Sequence, residues 1–208
     1  LALSALVVAH LAAFSAELHL LRLARVWPER SAEREAEVQG LLAAALDELL
    51  RQGETATAAL AALGDGQLAS SPGLPEAIRT DDLDAVALFG PSGELLAWDG
   101  IHQGPVPAAA RSAESRYVYE QGALFGYLYV TEPVPGRGTA VAAALLKSDL
   151  PSLLASVPSF ESRFQEETGA AIEVATADRA GEGRVWDLEW DDDVLLSVSL
   201  TPPSEAEA

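Results

Sequence analysis

From Leu1 to Leu63 the chain offers a helix with almost nothing to stop it, Pro28 being the single breaker. A stretch this long and this helix-compatible forces the rest of the fold to build on or beside a rod. Its first part, Leu1 to Leu21, is nearly all apolar, with His10, Glu17 and His19 as the strongly polar residues. A membrane span needs about 20 apolar residues, so the piece is marginal in length, and it does not open on methionine. Three readings fit it: the trailing end of a membrane-spanning helix, a signal segment with small residues at Phe14-Ser15-Ala16, or an ordinary buried or amphipathic helix. The membrane helix is the expectation carried forward. Glu17 and His19 then lie near the water interface, Arg22 and Arg25 lie just outside it, and Trp27 suits the boundary itself.

The second part of the rod reads as a stalk over residues 22–66. Val38, Leu42, Ala45, Leu49, Ala56, Leu60 and Leu63 recur at spacings near three and four, which is one face of a helix. Glu33, Arg34, Glu37, Asp47, Glu48, Arg51 and Glu54 line the other face. Gly53 weakens the middle by about 1 kcal/mol relative to alanine. Gly64-Asp65-Gly66 is the expected stop. Such a helix packs along a sheet, or continues from a membrane and dimerises, and both can hold at different heights.

Charge and cysteine narrow the classes of function. A net charge of -19 leaves no basic patch to neutralise phosphates, which excludes nucleic acid and disfavours an anionic lipid surface. The absence of cysteine excludes disulfides, thiolate catalysis and cysteine-ligated metals. The 208 residues suffice for one domain with a sizeable core, or for two small lobes.

After a linker at Ser70 to Pro75 the period changes to that of strands. Ala85 to Phe89 and Glu94 to Trp98 flank Gly90-Pro91-Ser92-Gly93, the signature of a hairpin. A Gly/Pro-rich loop and a short alanine-rich segment follow. Three more strand candidates come next: Arg116 to Tyr119, Leu124 to Thr131 and Thr139 to Leu146, with turns at Gln121-Gly122 and Pro133 to Gly136. The glycine turns make neighbours antiparallel.

The order of long helix, two strands, loop with helical turns and three strands resembles the Cache family of extracellular sensor domains, a PAS-like fold. The residues that carry the resemblance are Leu88-Phe89-Gly90-Pro91-Ser92-Gly93-Glu94-Leu95-Leu96-Ala97-Trp98 and Gly126-Tyr127-Leu128-Tyr129-Val130. It spans about Ser31 to Leu150. The chain lacks the tyrosine–arginine–tryptophan–aspartate arrangement of amino-acid-binding members, so no ligand is carried over. Membership implies a bacterial membrane receptor: most often a sensor histidine kinase of a two-component system, otherwise a cyclic-dinucleotide enzyme or a chemoreceptor. The output domain would lie beyond residue 208, and the sensing part would be periplasmic or extracellular at the inner membrane. A homodimer is expected with it.

The remainder reads as a smaller C-terminal α/β lobe over residues 151–200, followed by a tail, 201–208, leading towards a second membrane helix. Its parts are a helix broken near Pro158 and capped by Gly169, a strand at Ala171 to Ala175, and a hairpin about Asp191-Asp192-Asp193. These strands form a second sheet or add to the first. The expected fold is therefore α+β: a long N-terminal helix on an antiparallel PAS/Cache-like sheet over residues 67–150, plus the smaller lobe.

Candidate ligand-binding residues follow from this plan. Trp98, Asp99 and His102 lie in or beside a glycine-rich loop. Tyr117, Tyr119, Tyr127 and Tyr129 alternate on adjacent strands, where they line a pocket or pair across the sheet. Arg116, with Arg111 and Arg137, is one of few cations available to an anion. Glu189-Trp190-Asp191-Asp192-Asp193 matches no standard calcium loop and reads as a solvated turn. No catalytic triad, zinc-protease, phosphate-loop or dinucleotide motif is present, so no cofactor, metal or catalytic residue is expected. The function expected is ligand sensing for a membrane receptor, the ligand being an unidentified small molecule. The alternative is a membrane-anchored binding or assembly protein without signalling output, with an exported enzyme a distant third.

Overall fold

The computed structural model describes residues 2–63, 74, 78–80, 82–150, 157–176, 178–179 and 184–200, with side chains from residue 32 onward. The expected stop at Gly64-Asp65-Gly66, the linker Ser70 to Pro75 apart from Leu74, and the tail 201–208 lie outside these residues. So do residues 151–156 before Pro158, and the side chains of the apolar start, including His10 and Trp27. The chain divides into two compact units, Leu1–Leu41 and Leu42–Ala208.

One helix, α1 (Ala2–Ala62), supplies the described part of the first unit and continues into the second. The helix passes Pro28 without a break, as its composition predicts. Among the described residues no helix is long and apolar enough to cross a membrane. Within the second unit Leu42, Leu46, Leu49, Gly53, Ala56, Thr57 and Leu60 are buried. The expected stripe is recovered with changes at two places: Leu46 is buried where Ala45 is half-buried, and Leu63, half-buried, lies just past the end of the helix.

The five expected strands form one antiparallel sheet. They are β1 (Ala85–Phe89), β2 (Leu95–Gly100), β3 (Tyr117–Gln121), β4 (Phe125–Val134) and β5 (Gly138–Ser148), in the spatial order β2-β1-β5-β4-β3. A five-residue helix, α2 (Ala108–Ser112), interrupts the crossing from β2 to β3. Strand β4 runs into the first two residues of the expected turn and so contains Pro133, which pairs with Thr139 of β5. Proline is tolerated there because the register with β3 ends at Val130, so no neighbour on that side needs a Pro133 N–H.

Register fixes the faces, since partners across a ladder share one. Val86, Ala142, Val130 and Tyr117 form one row, and Ala85, Ala143, Tyr129 and Val118 form a row on the opposite face. Helix α1 packs on the face of Val130. A Cβ at Gly53 would lie 2.6 Å from Val130 Cγ2, so glycine is what lets the helix come this close. The helix end is tied down as well: the Arg137 guanidinium, from the β4–β5 turn, donates to the carbonyls of Leu63 and, at 2.6 Å, Ala61. These are terminal carbonyls that a helix cannot satisfy internally.

The C-terminal strands make a separate three-stranded antiparallel sheet, β6 (Ile172–Thr176), β7 (Arg184–Trp190) and β8 (Asp193–Leu200), ordered β6-β8-β7. Asp191 and Asp192 adopt φ of 54° and 65°, the left-handed conformation a two-residue hairpin loop requires. Helix α3 (Phe160–Thr168) precedes this sheet. Ser159 Oγ accepts from Ser162 N at its start, and Gly169 closes it. Trp190 packs edge-on against Tyr117 with centroids 5.1 Å apart, and Trp186 Nε1 donates to Asp47 at 3.4 Å.

Candidate functional site

The face of the first sheet opposite α1 carries the site. Its floor is small in the middle, with Ala85, Ala87 and Ala143, and bulky around it, with Phe89, Tyr127, Tyr129 and Leu145. Alanines on the inner strands leave room above the sheet, and the β2–α2 loop fills part of it. Ala110, fully buried, seats α2 on the same face.

Gly100 starts the loop. Its φ of 105° suits glycine, and a Cβ would lie 2.1 Å from the Asp84 carbonyl oxygen. Two tyrosines then hold the loop down. The Tyr127 hydroxyl accepts from the Gln103 N–H at 3.1 Å, and Tyr129 meets His102 Nε2 at 2.9 Å. His102 Nδ1 lies 3.0 Å from the Gly104 carbonyl, which can only accept, so Nδ1 carries the proton. Nε2 is then the acceptor and the Tyr129 hydroxyl the donor. The ring stacks on Tyr127 at 4.2 Å and meets Trp98 edge-on at 5.9 Å. Burial pushes the pKa of His102 down and those of Tyr127 and Tyr129 up, which keeps all three neutral.

Beside this latch lies an open cleft of about 480 Å³. Phe89, Leu95, Trp98 and Val106 give it apolar walls, and His102 and Arg111 are its titratable residues. Trp98 is fixed through Nε1 to the Gly100 carbonyl at 3.0 Å. Arg111 reaches the Gly93 carbonyl with Nη1 at 3.4 Å, and its Nε is buried without a partner.

The expected residues separate into groups. Trp98, His102, Tyr127 and Tyr129 come together, the first two lining the cleft and the tyrosines bracing its loop. Asp99 pairs with Val86 on the other face and bonds Arg79 at 2.9 Å. Tyr117 and Tyr119 also lie on the α1 face, across from Val130 and Leu128. Tyr117 donates to Glu54, and that bond holds the Glu54 carboxyl below its usual pKa. Arg116 bridges Glu54 at 3.1 Å and Glu132 at 3.2 Å. The Tyr119 hydroxyl is buried without a partner, and burial raises its pKa. Arg111 belongs to the cleft although only its scarcity as a cation marked it in the sequence. Phe89 stood in the segment that carries the family resemblance without being marked as a site residue, and Val106 carried no signal beyond its place in a loop.

Among the described residues no three metal-ligating side chains converge. The arrangement offers binding chemistry: an apolar recess, one cation and a neutral imidazole. Neither a protein-family model nor a curated protein matches the chain.

Proposed function

We propose that the chain is a ligand-sensing module of a membrane-bound receptor, built on a PAS/Cache-like plan. The observation that carries the reading is the division of labour across one sheet. One face packs on a long helix and the other holds a cleft beside a latched loop. Strand β4 belongs to both faces: Tyr127 and Tyr129 brace the loop while Val130 touches Gly53 of α1. A ligand that displaces the loop would alter the seating of the helix, provided it binds one seating better than the other. In this reading the apolar start of α1 is the membrane segment, the second sheet is a reduced membrane-proximal lobe, and the receptor works as a homodimer, its output domain being of the histidine-kinase kind.

The test is a thermal-shift screen of carboxylates, amino acids, amines and cations, with hits repeated on Val106→Arg, which fills the cleft. A compound that raises the melting temperature of the parent chain but not of the variant supports the reading. No shift from any class argues for the alternative, a membrane-anchored assembly protein. The exposed apolar residues Leu96 and Ile101, at and just beyond edge strand β2, favour that second reading.

A further inference from the structure

Resting on that reading, we infer that the cleft takes a small monocarboxylate with an apolar body and no ammonium group, Arg111 being its anchor.

Three arginines in this acidic chain were candidates to meet an anion, and two are already engaged within the fold. Arg116 is shared between Glu54 and Glu132. Arg137 holds the carbonyls at the end of α1. Arg111 has one long bond to the Gly93 carbonyl, and its Nε is buried with no acceptor. A guanidinium presents five donors in a planar fork. With Nε closed off, the Nη groups are the donors a ligand in the cleft can reach, and a carboxylate is the group that takes two parallel bonds from that end of the fork.

The surroundings set the rest of the ligand. Among the described residues no carboxylate lines the cleft: Glu94, between the lining residues Gly93 and Leu95, accepts from the Ser92 N–H at 3.0 Å, and Asp99, beside Trp98, faces away and is paired with Arg79. An ammonium group would find no counter-charge there, which separates the expected ligand from a zwitterionic amino acid. His102 adds no positive charge, because burial keeps its ring neutral, with Nδ1–H held on Gly104 and Nε2 on the Tyr129 hydroxyl. One fixed cation therefore suits one negative charge. Trp98, Phe89, Leu95 and Val106 form an apolar wall that a ring or branched chain would cover. The volume, about 480 Å³, falls within the range of small-molecule sites.

The test titrates the whole chain with benzoate, isovalerate, benzamide, benzylamine and phenylalanine, by calorimetry and by tryptophan fluorescence, which Trp98 reports. The expected result is that benzoate or isovalerate binds while benzamide, benzylamine and phenylalanine do not. Arg111→Ala should weaken the carboxylate by about ten- to a hundredfold, and Arg111→Lys by less, with melting temperatures near the parent's. Arg116→Ala should leave binding unchanged. Benzamide binding as tightly as benzoate, or Arg111→Ala and Arg111→Lys both binding like the parent, overturns the inference without using any variant that fails to fold. Binding of amines or neutral compounds, abolished by Val106→Arg, would overturn it while leaving the sensing reading intact. Failure of every class in the screen removes both.

Discussion

His102 is neutral because it is buried, against the Gly104 carbonyl that favours its charged form, and that makes the loop sensitive to acid. Burial holds its pKa below the ordinary 6.5. Stability from the neutral ring is full above pH 6.5 and is lost as the pH falls through the depressed value. Tyr129→Phe removes the donor to Nε2 and should cost about 1 kcal/mol. Hydrogen exchange at Gln103 and Gly104 should rise with little change in the rest of the sheet. Unaltered exchange there would show that the bond does not hold the loop. Glu161 works in the opposite sense. Burial raises its carboxyl to about 7, against a Val174 N–H that donates to it at 2.8 Å. Lys147 of β5, Asp149 just past its end, Glu173 of β6 and Tyr119 of β3 are the titratable groups that act on it. A raised carboxyl is favourable while protonated, so its contribution is present below pH 4.5 and lost as the pH rises through about 7. The ceiling is about 3 kcal/mol, reduced by partial solvent access. Glu161→Gln should therefore flatten the fall in melting temperature between pH 5 and 8, and parallel curves for variant and parent would refute the assignment.

Helix α1 and strand β4 meet at one glycine, and that contact can be tested directly. Gly53→Ala gains about 1 kcal/mol of helix propensity, but its Cβ would stand 2.6 Å from a branched, stiff Val130. Relieving that overlap costs about 1–3 kcal/mol. The net effect on chemical denaturation should be destabilising, and adding Val130→Ala should recover most of it. A more stable Gly53→Ala protein would mean the helix does not sit as described. Sequence alone reads Gly53 only as a weak point, because the close approach is to a residue 77 positions away. The same limit governs the site. The helix stripe and all five strands of the first sheet were legible, because period and glycine turns are local signals. The faces were not. Tyr117/Tyr119 and Tyr127/Tyr129 have identical spacing, and only the pairing of Tyr117 with Val130 puts them on opposite sides. Arg111 stood out as a rare cation, yet its direction depends on Ala110 seating α2 on the sheet. The partner of His102 lies 27 residues further along, which no local pattern encodes.

For the whole molecule, charge imbalance outweighs individual ion pairs. Asp and Glu number 32 against 13 Lys and Arg, so most carboxylates have no partner of opposite sign. The five pairs identified among the described residues are partly exposed, with side chains 35% to 63% accessible. Pairs of that kind contribute about 0–1 kcal/mol each. Net self-repulsion, by contrast, acts across the whole surface and opposes the compact state. Salt therefore discriminates between the two. Raising sodium chloride from low ionic strength shortens the screening length from about 30 Å at 0.01 M to about 8 Å at 0.15 M. If repulsion dominates, the melting temperature should rise by a few degrees over that interval, since 1 kcal/mol moves the midpoint of a chain this size by about 2–4 °C. Arg116→Ala, which breaks the bridge to Glu54 and Glu132, should lower the curve without changing its upward slope. A melting temperature that falls with salt would instead make the bridges to Glu54, Glu132 and Asp99 the dominant electrostatic contribution. The helix–sheet contact would then depend on the Arg116–Glu54 bridge more than on the Gly53–Val130 approach. Sodium chloride rather than sulfate is the right titrant, because sulfate strengthens apolar burial in any protein and would raise the midpoint under either account.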